Sequence, residues 1–515
     1  MSSLTQQLYA EFQKQNPENK DFNENLINWR KGGNDDIAMY LQDIFKALEV
    51  IQGIEFISVT IITDESKFPT DVKLDRKKNV YFANTEISRL NLAEVKFKVS
   101  GKGETGEEEN VFREEEITLR LFVPKFIDYF FLLNSNIYYP IFQLVDKTVY
   151  HTKKTLTLKT LLMPIVFRTD IKSAKLQTFA NTGYIHQMFV LELFGAKTNV
   201  FQYFFAAKGF EGTLEYFGAQ DAITVEYLTV FKKEEDNDQL LCLRIRRNKD
   251  VCLVVKKEWL DTCWKTNFVA SIAEALVGVD TEELIADDTE IWCKRFGRLL
   301  GNNPNMYVDK AKRQLVSLER ILDERTKRNL SHLPEENRTD IYAILKWMMV
   351  NLSSLTKIDN MCLSSKRIRL AEYLVQPLLY KFSENTYRLL NSKKLTFKSL
   401  ERIFKNISPM FVVNKLVVNE LLRFSNGVNQ HDLFQVILRF TLRGQQSMGE
   451  KNGGDIPVRY RGLHPSYLGN IGLASASASD PGLSGMLTPF AKVKGQFFNV
   501  ANCSDSSLDD NLVDE

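Results

Sequence analysis

The spacing of apolar side chains changes along the chain, and this change constrains the fold more than any other feature. Val95, Phe97 and Val99 alternate with lysines, which is the two-residue period of a half-buried β-strand. Over 308–322, apolar residues instead recur every three or four positions, which predicts an amphipathic helix. Because the two periods occur in separate long stretches, the sequence predicts an α+β protein. Its length of 515 residues predicts two to four domains.

Most of the predicted strands lie in the first half of the chain. Residues 117–121 alternate like 95–99, and the Gly- and Glu-rich stretch 101–110 between them predicts a hairpin loop. Apolar runs at 130–133 and 137–142 flank the polar turn Asn134-Ser135-Asn136. Further strands are predicted at 187–205, 215–217, 222–232, 240–247 and 251–256.

Helices are predicted at the N-terminus and again after residue 300. Residues 1–50 are predicted to be mainly helical, and a helix follows Pro304. Another is predicted to open at Thr339 or Asp340, with the pair Met348–Met349 in its core. Residues 361–440 are expected to be largely helical, interrupted by Pro377 and Pro409.

The cysteines and histidines predict no metal site. The six cysteines lie apart without a C-x-x-C pair, so buried or free thiols in a reducing compartment are expected. The five histidines are equally dispersed. No apolar run approaches the length of a membrane span, and the first thirty residues lack the apolar stretch of a signal peptide. A soluble protein without a membrane partner is therefore expected.

Charge is distributed unevenly, although the net charge is only +2. Residues 361–415 contain 11 Lys/Arg and 3 Asp/Glu, whereas 501–515 contain acidic residues and no basic one. A basic segment of this kind indicates a polyanion-binding surface or, equally, a solvated basic face. The acidic tail is expected to be flexible.

After Arg443 the periodicity ends, and Gly, Ser, Ala and Pro dominate residues 444–490. This stretch contains Arg459 and Arg461, the pair His464-Pro465 and repeated glycines. Glycine permits close backbone approach and proline fixes the backbone, while arginine offers forked contacts to phosphate. The composition favours positioning of a phosphate or nucleotide over covalent chemistry.

This segment resembles the signature of cellular RNA polymerase β subunits, Arg-x-x-His-Pro-Thr/Ser-x-x-Gly followed by Thr-Pro-Glu-Gly and a Gly-Leu pair. Arg461, His464, Pro465, Ser466 and Gly469 match the first part at the family spacing. The runs Ser479-Asp480-Pro481-Gly482 and Gly485-Met486-Leu487 give a looser second part. Asp480 is displaced by one residue from the family glutamate, and the two parts lie about two residues further apart than in the family.

A second segment, 131–143, is similar to the β-subunit strand-turn-strand F-x-I-N-G-x-E-x-x-I-x-x-Q. Asn134 and Gln143 fall at matching places, while the family glycine and acid are absent. Both segments occur in the family order, more than 300 residues apart.

The resemblance implies an α+β multidomain fold with RNA polymerase β-like protrusion and lobe domains followed by a fork-like loop region. The protrusion would occupy 1–160 and return as helices at 346–440, with the lobe inserted at 161–345. The fork-like region would span 441–500, and 501–515 would be the acidic tail. The length is typical of the split β subunits of giant bacteriophages, so the chain is expected to be the N-terminal part of β.

The resemblance also implies roles and partners. It places ten residues near nucleic acid or the nucleotide: Arg439, Arg443, Arg459, Arg461, His464, Pro465, Gly469, Asp480, Gly482 and Gly485. No catalytic residue or metal ligand is expected in this chain, because the family holds its catalytic Mg²⁺ with an Asp-x-Asp-Gly-Asp motif of the β′-type subunit, which is absent here. The expected partners are a C-terminal β-type subunit, β′-type subunits, template DNA, the RNA–DNA hybrid and a promoter-specificity factor. The complex would transcribe phage genes in the cytoplasm of the infected bacterial host, and the isolated chain would be inactive.

Several alternatives remain open from the residues alone. His464 could simply order its loop, and Arg459 and Arg461 could form loop salt bridges. The polar residues Asn429, Gln430 and Asp432 could line the channel or cap a helix. For the whole chain, a nucleotide-binding enzyme is disfavoured because no Lys follows the glycines as in a P-loop. A noncatalytic phage structural or scaffold protein is the alternative function, and virion-packaged and non-virion polymerases are not distinguished.

Overall fold

The structure is a computed structural model, and it describes most of the chain. The described residues are 33–68, 88–103, 112–127, 130–152, 155–170, 187–227, 239–244, 251–301, 304–331, 333–370, 372–392, 395–424, 435–444, 461–472, 482–488 and 491–500.

Twenty-one strands and twelve α-helices occur among these residues. The strands are β1 (Ile54–Ile62), β2 (Leu90–Lys102), β3 (Phe112–Pro124), β4 (Phe126–Ile127), β5 (Phe130–Leu133), β6 (Asn136–Pro140), β7 (Phe142–Asp146), β8 (Val149–Thr152), β9 (Thr155–Lys159), β10 (Pro164–Asp170), β11 (Met188–Leu193), β12 (Ala196–Asn199), β13 (Ile223–Tyr227), β14 (Leu240–Arg244), β15 (Val251–Lys256), β16 (Lys366–Arg369), β17 (Leu422–Phe424), β18 (Arg439–Thr441), β19 (Ser484–Met486), β20 (Val493–Lys494) and β21 (Phe497–Phe498). The helices are α1 (Gly33–Ala47), α2 (Val200–Phe217), α3 (Cys263–Ala275), α4 (Thr281–Ala286), α5 (Thr289–Leu300), α6 (Tyr307–Glu319), α7 (Glu324–Asn329), α8 (Ile341–Val350), α9 (Leu352–Leu355), α10 (Glu372–Leu390), α11 (Phe397–Lys405) and α12 (Phe411–Leu416).

The first sheet has the antiparallel order β1-β2-β3. Strands β2 and β3 pair along their whole length, from Leu90↔Pro124 to Lys102↔Phe112, which confirms the predicted hairpin. Its loop tip lies outside the described residues. Phe97 is fully buried, and its ring centroid lies 5.6 Å from that of Phe45 on α1 and 4.4 Å from that of Phe404 on α11. The alternating strand face therefore packs between a helix from the first 50 residues and a helix near residue 400.

The polar turn at 134–136 is also confirmed. Asn134 and Ser135 both have positive φ, 52° and 62°, and they join β5 to β6 as a tight hairpin. Two consecutive left-handed residues are typical of a turn that matches strand twist, and asparagine tolerates that conformation well. The hairpin belongs to a four-stranded sheet of order β17-β6-β5-β4, so it is closed on one side by a strand from near residue 422.

The middle of the chain contains two more antiparallel sheets and most of the helices. Their strand orders are β12-β11-β10-β9-β8 and β13-β15-β14. Buried apolar residues from Ile37 to Leu422 form one contiguous cluster, which includes residues of both these sheets and of the helices α1–α6, α8 and α10–α12. A second, smaller cluster lies around the six-stranded sheet described below.

The strand prediction at 187–205 was partly wrong, and the strand prediction at 215–217 was wrong. Strands end at Asn199, and residues 200–217 form α2. Asn199 caps this helix by accepting a hydrogen bond from the Phe201 amide. A short run of aromatic residues in the sequence does not distinguish a buried strand from a buried helix. Helix α2 is buried on most of its circumference, so its sequence lacks the polar face that would have indicated a helix. The strands predicted at 222–232, 240–247 and 251–256 are present as β13, β14 and β15, while residues 228–232 and 245–247 of the first two predictions lie outside the described residues.

The predicted helices after residue 300 are confirmed as α6 and α8, and Asp340 caps α8 by accepting from the Ala343 amide at 2.6 Å. Met348 and Met349 are both fully buried. The prediction that Pro377 interrupts a helix was wrong, because Pro377 lies inside α10. That helix continues because its apolar residues on either side of the proline are buried, which offsets the one backbone hydrogen bond lost. Residues 361–440 also contain three short strands, β16, β17 and β18, that the helical prediction missed.

Of the helices in the described ranges, not one combines the length and the apolar character that crossing a bilayer requires.

Helix α2 is kinked at Gly209, and this kink depends on glycine. The backbone of Gly209 has φ 76° and ψ 178°, a region open essentially to glycine alone. The carboxylate of Asp287 caps the second half of the helix, accepting from the amides of Phe210 and Glu211 and from the Trp292 indole at 2.7 Å.

We expect Gly209→Ala to destabilise the protein by about 1–3 kcal/mol because of this backbone conformation. A Cβ there would also lie 2.8 Å from Asp287 Oδ2. Gly212→Ala is the matched control: its Cβ would meet only Lys208 Cβ at 3.6 Å, so it should stabilise by about 0.5–1 kcal/mol through helix propensity. Urea unfolding of both variants measures the change in the free energy of unfolding. Equal changes in the two variants would contradict the claim that the kink requires glycine at position 209.

Candidate nucleic-acid interface

Parts of the chain that are far apart in sequence meet in a six-stranded sheet of order β19-β18-β7-β16-β21-β20. The central strands β7 and β16 are antiparallel, from Lys366↔Asp146 to Arg369↔Gln143, and β18 runs parallel to β7. Strands from near residues 142, 366, 440 and 485 therefore stand side by side. The segment 444–490 was expected to be irregular, but its residues 484–486 form an edge strand of this sheet.

The His-Pro motif forms a short 3₁₀ turn beside the sheet. His464 caps the turn Pro465–Tyr467 because its Nδ1 accepts from the Ser466 amide at 3.1 Å. Its Nε2 lies 3.1 Å from Asp359 Oδ2. His464 is 9% exposed, and the next aromatic residue, Tyr467, is fully buried. Burial raises the pKa of Tyr467 above its usual range. This geometry is that of a histidine that orders its loop, the alternative to acid–base chemistry.

The two parts of the motif are in direct contact. The Gly482 amide donates to the Arg461 carbonyl at 2.8 Å, and the Leu442 amide donates to the Leu483 carbonyl at 2.7 Å. Gly485 pairs with Phe440 across β18 and β19. The loop around Arg461 and strand β18 thus flank the same short stretch, 482–485.

Glycine at position 482 permits this contact. A Cβ at Gly482 would lie 2.1 Å from the Gly462 carbonyl oxygen, whereas a Cβ at Gly462 would meet nothing within 4 Å. The backbones of the two segments therefore approach more closely than any other residue at 482 allows.

Arg439, Arg443 and Arg461 lie around the β18–β19 end of the sheet, which we call the arginine edge, and they differ in exposure. Arg439 and Arg443 are exposed at the two ends of the β18 region, while Phe440, Thr441 and Leu442 between them are buried. Arg461 is half-buried, and Pro465 and Gly469 are exposed, with Gly469 at φ +77°. Arg459, Asp480 and the polar residues Asn429, Gln430 and Asp432 lie outside the described residues. Leu463 and Leu468, exposed at 45% and 65%, flank the motif and were not singled out from sequence.

The three cationic side chains of the central strand β16 are buried. Lys366, Arg367 and Arg369 on β16 are 1%, 7% and 1% exposed. Lys366 Nζ lies 2.5 Å from Asp146 Oδ1, and Arg367 holds both oxygens of Glu372 at 2.8 and 2.9 Å. The basic excess of 361–415 is therefore partly a structural network. The exposed cations of α11, Lys398, Arg402 and Lys405, belong to the remainder.

Glu372 is the centre of this network. Its carboxylate, 3% exposed, also pairs with Arg325 of α7. Burial alone would raise its pKa, but the charges and hydrogen bonds of Arg367 and Arg325 outweigh burial and hold the pKa well below its usual range. The carboxylate is therefore ionised wherever the protein is folded near neutral pH.

Gln143 connects the network to the arginine edge. Its Oε1 accepts from Arg369 Nε at 2.6 Å, and its Nε2 donates to the Arg443 carbonyl at 2.9 Å. Burial lowers the pKa of Arg369, with the neighbouring Arg367 adding to the effect and Glu372 opposing it. The resemblance marked Gln143, but no sequence signal indicated that it bonds Arg369 or Arg443.

In the part of the chain that the structure describes, no three His, Cys, Asp or Glu side chains are grouped to hold a metal ion. The edge offers backbone, arginines and a capped turn, which suit binding and positioning of an anionic polymer.

A protein-family model described as "Non-virion RNA polymerase subunit" matches residues 1–501, so the chain belongs to that family. A search of curated proteins returned no match.

Membership confirms that the chain is an RNA polymerase subunit, and it supports the expectation of a phage enzyme of several subunits. Other polymerase subunits are accordingly its partners. The residues alone did not distinguish a virion-packaged polymerase from a non-virion one, and the family name identifies the non-virion kind. The scaffold alternative is set aside by the same match.

We expect Glu372→Gln to destabilise the protein by about 3–5 kcal/mol, because it leaves Arg325 and Arg367 buried without a countercharge. The folded-state pKa of Glu372 lies below its ordinary value of 4.5, so its stabilisation is complete above that pH and is lost as the pH falls towards the folded-state pKa. Urea midpoints measured against pH should therefore differ between wild type and variant at neutral pH and converge in acid.

Glu384→Gln is the control for that experiment. Glu384 pairs with Arg388 at the surface, with side chains 60% and 71% exposed, so its loss should cost less than about 1 kcal/mol. A cost for Glu372→Gln no larger than the control would show that the buried network does not stabilise the fold.

We expect Gly482→Ala to separate the two parts of the motif, since the added Cβ meets a backbone oxygen that cannot move aside cheaply. Hydrogen exchange by mass spectrometry should show faster exchange in peptides covering 461–472 and 482–488. Gly462→Ala, with open space around its Cβ, should leave exchange at wild-type rates. Unchanged exchange in Gly482→Ala would contradict the close approach.

Proposed function

We propose that this chain is the β-type N-terminal subunit of the non-virion RNA polymerase, the first part of a split β. In this proposal, the six-stranded sheet and its edge form the fork beside the active centre, and the remainder forms one wall of the DNA cleft. The observation that carries the proposal is the contact between the loop at Arg461, where the His-Pro run begins, and the 482–485 stretch. These belong to the two runs that resemble the β-subunit signature, and they meet although residues 462–481 separate Arg461 from Gly482.

A second observation supports the assignment. The strand–turn–strand that resembles the upstream β-subunit segment leads directly into β7, whose Gln143 bonds to the Arg443 carbonyl. The two resembling segments, more than 300 residues apart, therefore meet in one sheet. Local resemblance by chance would not require this proximity.

The mechanism follows from the kinds of group at the edge. Arg439 and Arg443 would contact phosphates of the template or the RNA–DNA hybrid, and the turn capped by His464 would hold backbone groups near the incoming nucleotide. Mg²⁺, held by the Asp-x-Asp-Gly-Asp motif of a β′-type partner, would stabilise the attacking and leaving oxygens. This chain would supply position and charge and would be inactive alone.

The test is purification of the tagged chain from co-expressing or infected cells, followed by mass spectrometry and an RNA synthesis assay. The proposal expects a partner with the Asp-x-Asp-Gly-Asp motif, a separate C-terminal β-type chain and Mg²⁺-dependent synthesis. A polymerase whose other subunits already include a complete β would contradict the split-β assignment.

Within that polymerase, Arg439→Gln and Arg443→Gln should each weaken template binding. Loss of one phosphate contact should make the slope of log affinity against log salt shallower by about 1. Arg388→Gln is the matched control, because Arg388 is exposed on α10 and pairs only locally with Glu384. Fluorescence anisotropy at several salt concentrations gives the slopes. Equal slopes for all variants and wild type would remove both arginines from the proposed interface.

A further inference from the structure

The loop 358–365 contacts the His-Pro turn. Its Asp359 is 8% exposed, and no feature of the sequence singled it out. One carboxylate oxygen accepts from the Met361 amide at 2.8 Å, and the other faces His464 Nε2 at 3.1 Å. The adjoining Leu363 amide donates to Ser466 Oγ at 3.0 Å. The two loops, about 100 residues apart in sequence, are joined by these bonds.

The donors in this cluster assign the proton of His464. A backbone amide can only donate, so His464 Nδ1, which accepts from the Ser466 amide at 3.1 Å, carries no proton. Ser466 Oγ lies 2.8 Å from the same Nδ1, which carries no proton, so the Ser466 hydroxyl donates to Nδ1 while it accepts from the Leu363 amide. The ring proton is then on Nε2, where it is donated to Asp359. The hydrogen bonds that one ring nitrogen makes thus determine whether the other ring nitrogen carries the proton.

We propose that Asp359 is a positioning residue for the polymerase: it fixes the Nε2–H tautomer of His464 and thereby the place of the His464-Pro465 turn at the arginine edge. The part of this inference that concerns RNA synthesis rests on the proposed function. The part that concerns the tautomer depends on the chain alone.

The side chain at position 359 must accept two hydrogen bonds, and an aspartate can do this whereas an asparagine cannot. Asparagine has one acceptor oxygen and one donor group at its end. If the amide oxygen of an asparagine at 359 accepts from Met361, its NH₂ faces Nε2 and requires the opposite tautomer, which deprives the Ser466 amide of its acceptor. If the oxygen faces Nε2–H, the NH₂ confronts the Met361 amide. Asp359→Asn therefore breaks one bond in either orientation, although shape and size are retained.

The first measurement uses the isolated wild-type chain labelled with ¹⁵N-histidine. The sequence contains five histidines, and a His464→Asn variant identifies the signal of His464. Long-range ¹H–¹⁵N correlations distinguish the two neutral tautomers. We expect the Nε2–H pattern; a proton on Nδ1 in the wild type would overturn the proposal without any test of Asp359 itself.

The second measurement compares Asp359→Asn with Asp340→Asn. Asp340 caps α8, and asparagine is an equally good N-cap there, so the control should leave the His464 signal unchanged. Asp359→Asn should either replace the Nε2–H pattern of His464 by the Nδ1–H pattern or, where Nε2–H is kept, speed hydrogen exchange of the Met361 amide, while the other histidine signals report an intact fold. An unchanged His464 pattern together with unchanged exchange at Met361 in Asp359→Asn would overturn the proposal.

The assembled polymerase provides the functional readout. Asp359→Asn should lower RNA synthesis about tenfold to a hundredfold, because a small displacement of a positioning element is costly, whereas Asp340→Asn should not. A changed tautomer with wild-type synthesis would refute the placement of this turn at the active centre and leave the role of Asp359 in the loop intact. The two parts are therefore tested separately.

Discussion

The ionised carboxylate of Glu372 is the interaction on which the rest of the structure depends. Placing one charge in the interior is costly, and two arginines beside it would be costly in turn if it were absent. Arg325 comes from α7, Arg367 from the central strand β16 and Glu372 from the start of α10. Glu372 pairs with both arginines only where these three elements meet, so the network joins α7 and α10 to the six-stranded sheet.

From β16, the same constraint extends to the surface. Arg369 is buried next to this network and bonds Gln143, and Gln143 in turn bonds the Arg443 carbonyl. The exposed edge with Arg439 and Arg443 is thus attached to the interior by side chains rather than by sheet hydrogen bonds alone. The proposed function would benefit from such support, since groups that bind a polyanion do so better when they are held in place before it arrives.

The basic residues of segment 361–415 are divided between the protein interior and the surface. The basic excess of residues 361–415 indicated either a polyanion surface or a solvated face, and neither describes all of it. Three of the cations lie inside the protein, paired with Asp146, Glu372 and Gln143, and the sequence gives no sign of which ones. Their partners lie either over 200 residues away or on a neighbouring helix. Counting charges in a segment therefore overstates what is available to nucleic acid.

The sequence by itself determined the local elements with a clear period and the family. The β2–β3 hairpin, the Asn134–Ser135 turn, α6 and α8 follow from alternation, turn residues and caps that act within a few positions of each other. The His-Pro and Pro-Gly runs pointed to an RNA polymerase subunit because their residues occur at fixed spacing. The helix at 200–217, the continuation of α10 through Pro377 and the short strands of 361–440 could not be predicted, because packing against distant residues decides them. Only the tertiary structure brought Asp359 to His464 and Gly482 to Arg461, since those contacts depend on chain segments whose approach no local pattern records.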